Sequence, residues 1–204
     1  GRSTALYTVS ELSQLADKSN DSLFEILYCG NLGVGRVESL SDFAKVLREV
    51  SEDAILRVYG NFADERDREE LLAHSNVEYC GTVAYSEIPE LMSRASMLLH
   101  CENPSRLENL KGAFSTKIAD SLASGRPFLV YALRDYPFVK YLEDNKCAHI
   151  ASDRDELKMV LQRCIREKDY LYKYTSEAIL IAERNHSSKI NCERVREVLK
   201  AVSV

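Results

Sequence analysis

The chain has 204 residues, of which 45% are hydrophobic and 29% charged with both signs interspersed, enough for one ordinary domain with a real core. A formal net charge of −5 without a concentrated basic face argues against a nucleic-acid partner. No apolar stretch reaches the ~18 residues needed to cross a bilayer, so no transmembrane segment is expected.

The first twenty residues are polar, with one short amphipathic stretch (Val9, Leu12, Leu15), and read as a linker or N-terminal extension to a domain over 21–204. The opening Gly1-Arg2-Ser3-Thr4 has no signal architecture and reads as a tag scar or a cut from a longer protein, with the cut favoured. A pattern then repeats from Phe24. The apolar run 24–29 predicts a strand ended by Gly30, and Leu40, Phe43, Ala44 and Leu47 predict a helix over 40–50. A second strand over 54–59 again ends in a glycine, Gly60. A polar helix over 65–74, a short strand over 77–79, a helix over 87–95 and a strand over 97–100 follow. The remainder gives a helix over 116–124 closed by Gly125, a strand over 127–131, a helix over 136–144 and a last strand over 148–150. Beyond Asp153 the pattern is helical, over 155–167, 169–184 and 189–202.

Strands alternating with helices predict an α/β fold, a Rossmann-like doubly wound parallel sheet with a helical C-terminal tail. By analogy with other doubly wound sheets, the expected strand order is 3-2-1-4-5-6. The six cysteines and four histidines are dispersed, with no C-x-x-C pair and no finger spacing. A metal site is therefore not expected, and the thiols read as reduced packing residues of a cytoplasmic protein.

In such a sheet, ligands bind beyond the carboxyl ends of the strands. The first strand leads into Gly30-Asn31-Leu32-Gly33-Val34-Gly35-Arg36. Its glycines allow a tight turn and close approach to a ligand, and a helix expected to start at 38 or 39 would aim its N–H groups at a phosphate. Arg36 can add a forked contact; the plain alternative is a flexible turn beside a solvated arginine. The G-x-x-G-x-G spacing is neither the dinucleotide fingerprint nor the phosphate loop, which disfavours an NAD enzyme. Tyr59 and Gly60 close the second strand, and Val83 follows the third.

The fourth strand runs into Glu102-Asn103-Pro104-Ser105, and a polar loop then reaches Phe114-Ser115-Thr116-Lys117. Ser115 or Thr116 is expected to cap the next helix, with N–H groups near Thr116 and Lys117 facing the crevice. A lysine in a first helical turn opposes the helix dipole. It points to a bound anion, or else to a solvated side chain. Asp120 lies one turn on, on the same side, where it can accept from ribose hydroxyls.

The stretch 114–130, Phe-Ser-Thr-Lys-Ile-Ala-Asp-Ser-Leu-Ala-Ser-Gly-Arg-Pro-Phe-Leu-Val, resembles the donor-site helix and following strand of retaining GT-B glycosyltransferases of the family 4 (group 1) type. The segment 27–32 is similar to that family's opening strand and glycine loop. The segments 77–83 and 88–92 are similar to the part that packs near the nucleobase. The resemblance implies one half of a GT-B fold, which binds a nucleoside diphosphate sugar without metal or cofactor. It makes Lys117 and Arg36 phosphate ligands and matches Asp120 to the second Glu of a Glu-x7-Glu motif, the ribose ligand. The first Glu of that motif falls on Gly112 and is absent, with Glu102 and Glu108 as possible substitutes from the loop; the family's lysine near Arg36 is also missing.

The implied partner is an N-terminal acceptor domain of the same full-length protein. Peripheral membrane association of that enzyme and a role in polysaccharide biosynthesis go with it. The fragment alone is expected to bind nucleotide weakly and transfer little sugar. No catalytic residue is assigned. The helix over 189–202 either crosses back to the partner domain or packs on its own sheet. A GT-B-fold nucleotide-sugar epimerase and a degenerate, non-catalytic module stand as alternatives. A receiver-type signalling domain is disfavoured, because Gly30-Asn31 and Cys80-Gly81 stand where it needs acidic residues.

Overall fold

The computed structural model of the chain describes residues 23–103 and 115–187, together with residues 192 and 196. Six strands, β1 (Glu25–Cys29), β2 (Ile55–Tyr59), β3 (Val77–Tyr79), β4 (Met97–Cys101), β5 (Phe128–Tyr131) and β6 (His149–Ala151), form one sheet. The order is β3-β2-β1-β4-β5-β6 and every pairing is parallel, as the sequence predicts. The order reverses between β1 and β4, which are neighbours in space but not in sequence.

The central strands are short apolar runs because helices cover both faces of a parallel sheet; all five residues of β4 are buried. Alternate side chains of β1 feed opposite cores. Ile26 and Tyr28 pack with Leu40, Phe43 and Leu47 of α1 (Arg36–Val50). Leu27 packs on the other face with Ile118 and Leu122 of α4 (Thr116–Ala123) and with Phe138 and Leu142 of α5 (Pro137–Asp144). Each such fully buried side chain contributes roughly 1.5–3 kcal/mol relative to exposure. Helices α2 (Glu65–Leu72), α3 (Ile88–Arg94) and α6 (Arg154–Arg166) complete the layers.

Beyond shifts of one or two residues at several element ends, two differences from the sequence reading have a clear setting in the fold. Helix α1 begins at Arg36 rather than at 38 or 39. Gly35, at φ 75°, takes the left-handed conformation at the cap, and a Cβ there would meet Asn103 Nδ2 at 2.6 Å. The single helix expected over 169–184 is instead broken into α7 (Lys168–Leu171), α8 (Thr175–Ile181) and a π-helical turn, Ala182–His186. Tyr170 and Tyr174, on either side of the break, both lie against the buried His149 ring, at centroid distances of 4.9 Å. The expected segment 1–20 lies outside the described residues, as does the helix over 189–202 apart from residues 192 and 196.

Candidate functional site

The ends of β1, β2 and β3 are tied in a row. Gly30 N–H donates to the Tyr59 carbonyl and Gly60 N–H to the Gly81 carbonyl, each at 2.9 Å. Asn31 folds the next turn, its Oδ1 accepting from Gly33 N–H at 2.7 Å and its carbonyl from the Tyr28 hydroxyl at 2.8 Å. Above the turn stands Lys117: a Cβ on Gly30 would collide with its Nζ, so the missing side chain at 30 makes room for the ammonium.

Two hollows adjoin at this point. A cleft of about 700 Å³ is walled by Gly30, Gly33, Tyr59, Phe62, Val83 and Lys117. A narrower cavity of about 280 Å³ runs between α3 and α4, past Tyr85, His100 and Asp120. Cys29, Ile88 and Lys117 line both. The Cys29 thiol is pushed up to about 12 by burial, against the pull of Lys117, so it is inert packing at neutral pH.

Two cations, Lys117 and Arg36, stand near the reversal point. Lys117 has its pKa lowered, first by burial and then by the charge of Arg36, with Glu102 opposing. The two cations thus act on each other across the same site. Arg36 Nη2 holds Glu102 Oε1 at 2.8 Å, and His100 Nε2 stands 3.4 Å from the same oxygen. Burial works to raise the Glu102 pKa, but His100 and Arg36 overcome it and keep the carboxylate ionised. Burial works to lower Arg36, and Glu102 more than reverses it. Arg36 is therefore not a solvated side chain but one half of a mostly buried ion pair. Such a pair is a poor source of stability, yet it fixes a guanidinium in place. Asn103, also buried, holds α1 to β4: its Nδ2 donates to the Gly35 carbonyl at 3.0 Å and to Glu38, and its carbonyl accepts from the Tyr136 hydroxyl at 2.8 Å.

Two helices begin at this reversal point, α1 and α4, and neither has a side-chain cap. Among the described α-helices only α2 and α6 have a side-chain cap, Asp64 and Asp153 each accepting from an N–H at 2.9 Å, so α1 and α4 share their uncapped starts with α3, α5, α7 and α8. Ser115 stands at the α4 cap position, but its hydroxyl makes no capping bond, contrary to expectation. The first turn of α4 carries no acid and one lysine. Thr116 lies exposed at the rim. Asp120 lines the narrower cavity; burial raises its pKa, and a 3.2 Å hydrogen bond from the Tyr85 hydroxyl works against that.

Of the residues singled out in the sequence, Gly30, Asn31, Gly33, Tyr59, Gly60, Val83 and Lys117 gather on the cleft, and Thr116, Lys117 and Asp120 on the cavity. Gly35, Arg36, Glu102 and Asn103 support them from beneath. Phe114 lies outside the described residues, as do Glu108 and Gly112. Sequence reasoning missed Tyr85 and His100, which are single residues without a motif, brought to the site only by the packing of α3 and β4.

A doubly wound sheet in this strand order is a Rossmann-like α/β fold, which takes its ligands at the reversal point. A family model described as "Glycosyl transferase-like" matches residues 36–197, and the chain belongs to that family. No curated protein matches it by sequence. Among solved structures it is similar to HepE (Alr3699) from Anabaena in complex with UDP, at 17% identity and a TM-score of 0.73, over 96% of this chain and 54% of that one. It is also similar to the C-terminal domain of the glycosyl transferase group 1 family protein LpcC from Francisella tularensis, at 13% identity and 0.64, over 90% and 96%. A third is WaaG, a glycosyltransferase involved in lipopolysaccharide biosynthesis, at 17% and 0.59, over 90% and 51%. At such identities the likeness is one of fold. The chain spans about half the length of HepE and WaaG.

Proposed function

We propose that this chain is the donor half of a glycosyltransferase, binding a nucleoside diphosphate sugar whose acceptor is held by an N-terminal domain of the full-length protein. The observation that carries the reading is the position of Lys117, which lines the cleft against Gly30 at the start of α4 and feels the charge of Arg36 from the start of α1. Two uncapped helix starts and two cations suit a diphosphate, and the same groups stabilise the charge that builds on it as the sugar–phosphate bond breaks. Transfer then needs no divalent metal. Asp120, one turn along α4, accepts from the ribose. Glu102 is committed to Arg36 and acts as a positioning residue rather than as the missing carboxylate.

HepE is solved with UDP and with UDP-glucose, which makes UDP the first nucleotide to try. Retention of anomeric configuration and polysaccharide biosynthesis follow from the family resemblance, and a cytoplasmic setting from the dispersed cysteines. The test is calorimetric titration with UDP, GDP and ADP alongside thermal melting. One of the three is expected to bind and, at a hundredfold excess over its Kd, to stabilise the fold by about 2.7 kcal/mol, while sugar transfer by the chain alone stays slight. Failure of all three to bind or to raise Tm would remove the reading.

A further inference from the structure

Tyr85 sits in the short helical turn Tyr85–Glu87 just ahead of α3, and its ring is 73% exposed. Its hydroxyl nevertheless reaches across the mouth of the 280 Å³ cavity, to a carboxylate 35 residues further along the chain, and donates to Asp120 Oδ2 at 3.2 Å. A half-buried carboxylate needs donors, because burial without them is costly. The phenol supplies one. It does so from a ring with little packing to lose, over a distance at the long end for an O–H···O bond. The contact is therefore an exchangeable one.

We propose that Tyr85 is a specificity-determining residue of the nucleoside subsite: its phenol competes with the ribose hydroxyls for Asp120, and a ligand with a ribose displaces it. This rests on the assignment of Asp120 to the ribose. Two consequences follow. Tyr85 weakens binding of ribonucleotides, because the two ribose hydroxyls must displace a bond that Asp120 already makes, which offsets part of what they gain from the carboxylate. It also narrows the discrimination between a ribose and a sugar lacking both hydroxyls, since the latter leaves the Tyr85–Asp120 bond in place. A net hydrogen bond corresponds to roughly a two- to tenfold change in affinity.

The experiment measures affinity for the nucleoside diphosphate that binds best among UDP, GDP and ADP, and for its 2′,3′-dideoxy form. The proteins are the wild-type chain, Tyr85→Phe and Asp120→Asn. Tyr85→Phe keeps the ring, and its exposed position leaves folding intact, which a thermal melt without ligand checks. The expected result is that Tyr85→Phe binds the ribonucleotide about two- to tenfold more tightly and the dideoxy form unchanged. Asp120→Asn weakens the ribonucleotide alone. Unchanged or weaker ribonucleotide binding by Tyr85→Phe, or equal tightening for both ligands, overturns the proposal while leaving the nucleotide reading intact. If Asp120→Asn binds both ligands as the wild type does, the ribose assignment falls and the proposal with it. If no diphosphate binds the wild type, the functional reading itself fails.

Discussion

Lys117 is the second residue of α4, where the helix's own partial charge is positive. That local conflict is visible in the sequence; what surrounds the ammonium is not, because Arg36 and Gly30 come from the other side of the reversal point. Burial and Arg36 together lower the Lys117 pKa, and the sign of the consequence is fixed. In the window between the lowered value and the ordinary value of about 10.4, the unfolded chain binds more protons and stability rises with pH. A diphosphate favours the charged lysine, so its affinity is greatest below that lowered pKa and falls as pH rises through it. Titrations between pH 7.5 and 10 check this, above the second phosphate ionisation at about 6. The Lys117→Arg variant stays charged throughout and is expected to flatten the profile.

Val34, in the glycine loop, is a second residue whose state the sequence conceals. It is β-branched, sits at φ 62° and is 45% exposed. The left-handed conformation costs such a residue about 1–2 kcal/mol, which glycine avoids at an unfolded-state cost of about 0.4–1. Val34→Gly is expected to stabilise the fold by about 0.5–1 kcal/mol, read as a rise of about 2 °C in melting temperature. Strain kept at a cleft wall is the pattern of a functional loop.

At the scale of elements, helix interiors were legible and helix starts less so. The spacing of Leu40, Phe43, Ala44 and Leu47 is a local signal, so α1 was visible; its first two residues were not, because the cap at Gly35 depends on Asn103, 68 residues away. The break within 169–184 was hidden for the same reason. Tyr170 and Tyr174 look like ordinary helical residues until the His149 ring that they flank is in view. The cap at Gly35 can be tested directly. Gly35→Ala places a Cβ at positive φ and against Asn103, and is expected to destabilise the fold by about 1–2 kcal/mol in urea denaturation, with loss of the latch between α1 and β4.

At the scale of the whole molecule, the strand order came by analogy with other doubly wound sheets, because right-handed crossovers prune the topologies but leave more than one order open. The general place of the site followed from that order, since ligands gather where it reverses. The convergence itself was not readable. Whether Arg36 and Lys117 share one ligand depends on how α1 and α4 pack on opposite faces, and no local pattern records that. The Arg36–Glu102 pair, 66 residues apart, and the Tyr85–Asp120 contact belong to the same level of organisation.

The claim that the two loops serve one diphosphate is tested most directly at Lys117, which, unlike Arg36, makes no ion pair among the described residues on which the fold relies. Calorimetric titration of the wild-type chain and Lys117→Ala with UDP and with uridine separates the phosphate contribution from that of the nucleoside. A lost charge-assisted contact predicts UDP binding weakened roughly ten- to hundredfold and uridine binding unchanged. UDP affinity identical in the two proteins, or an equal loss for UDP and uridine, would contradict the account.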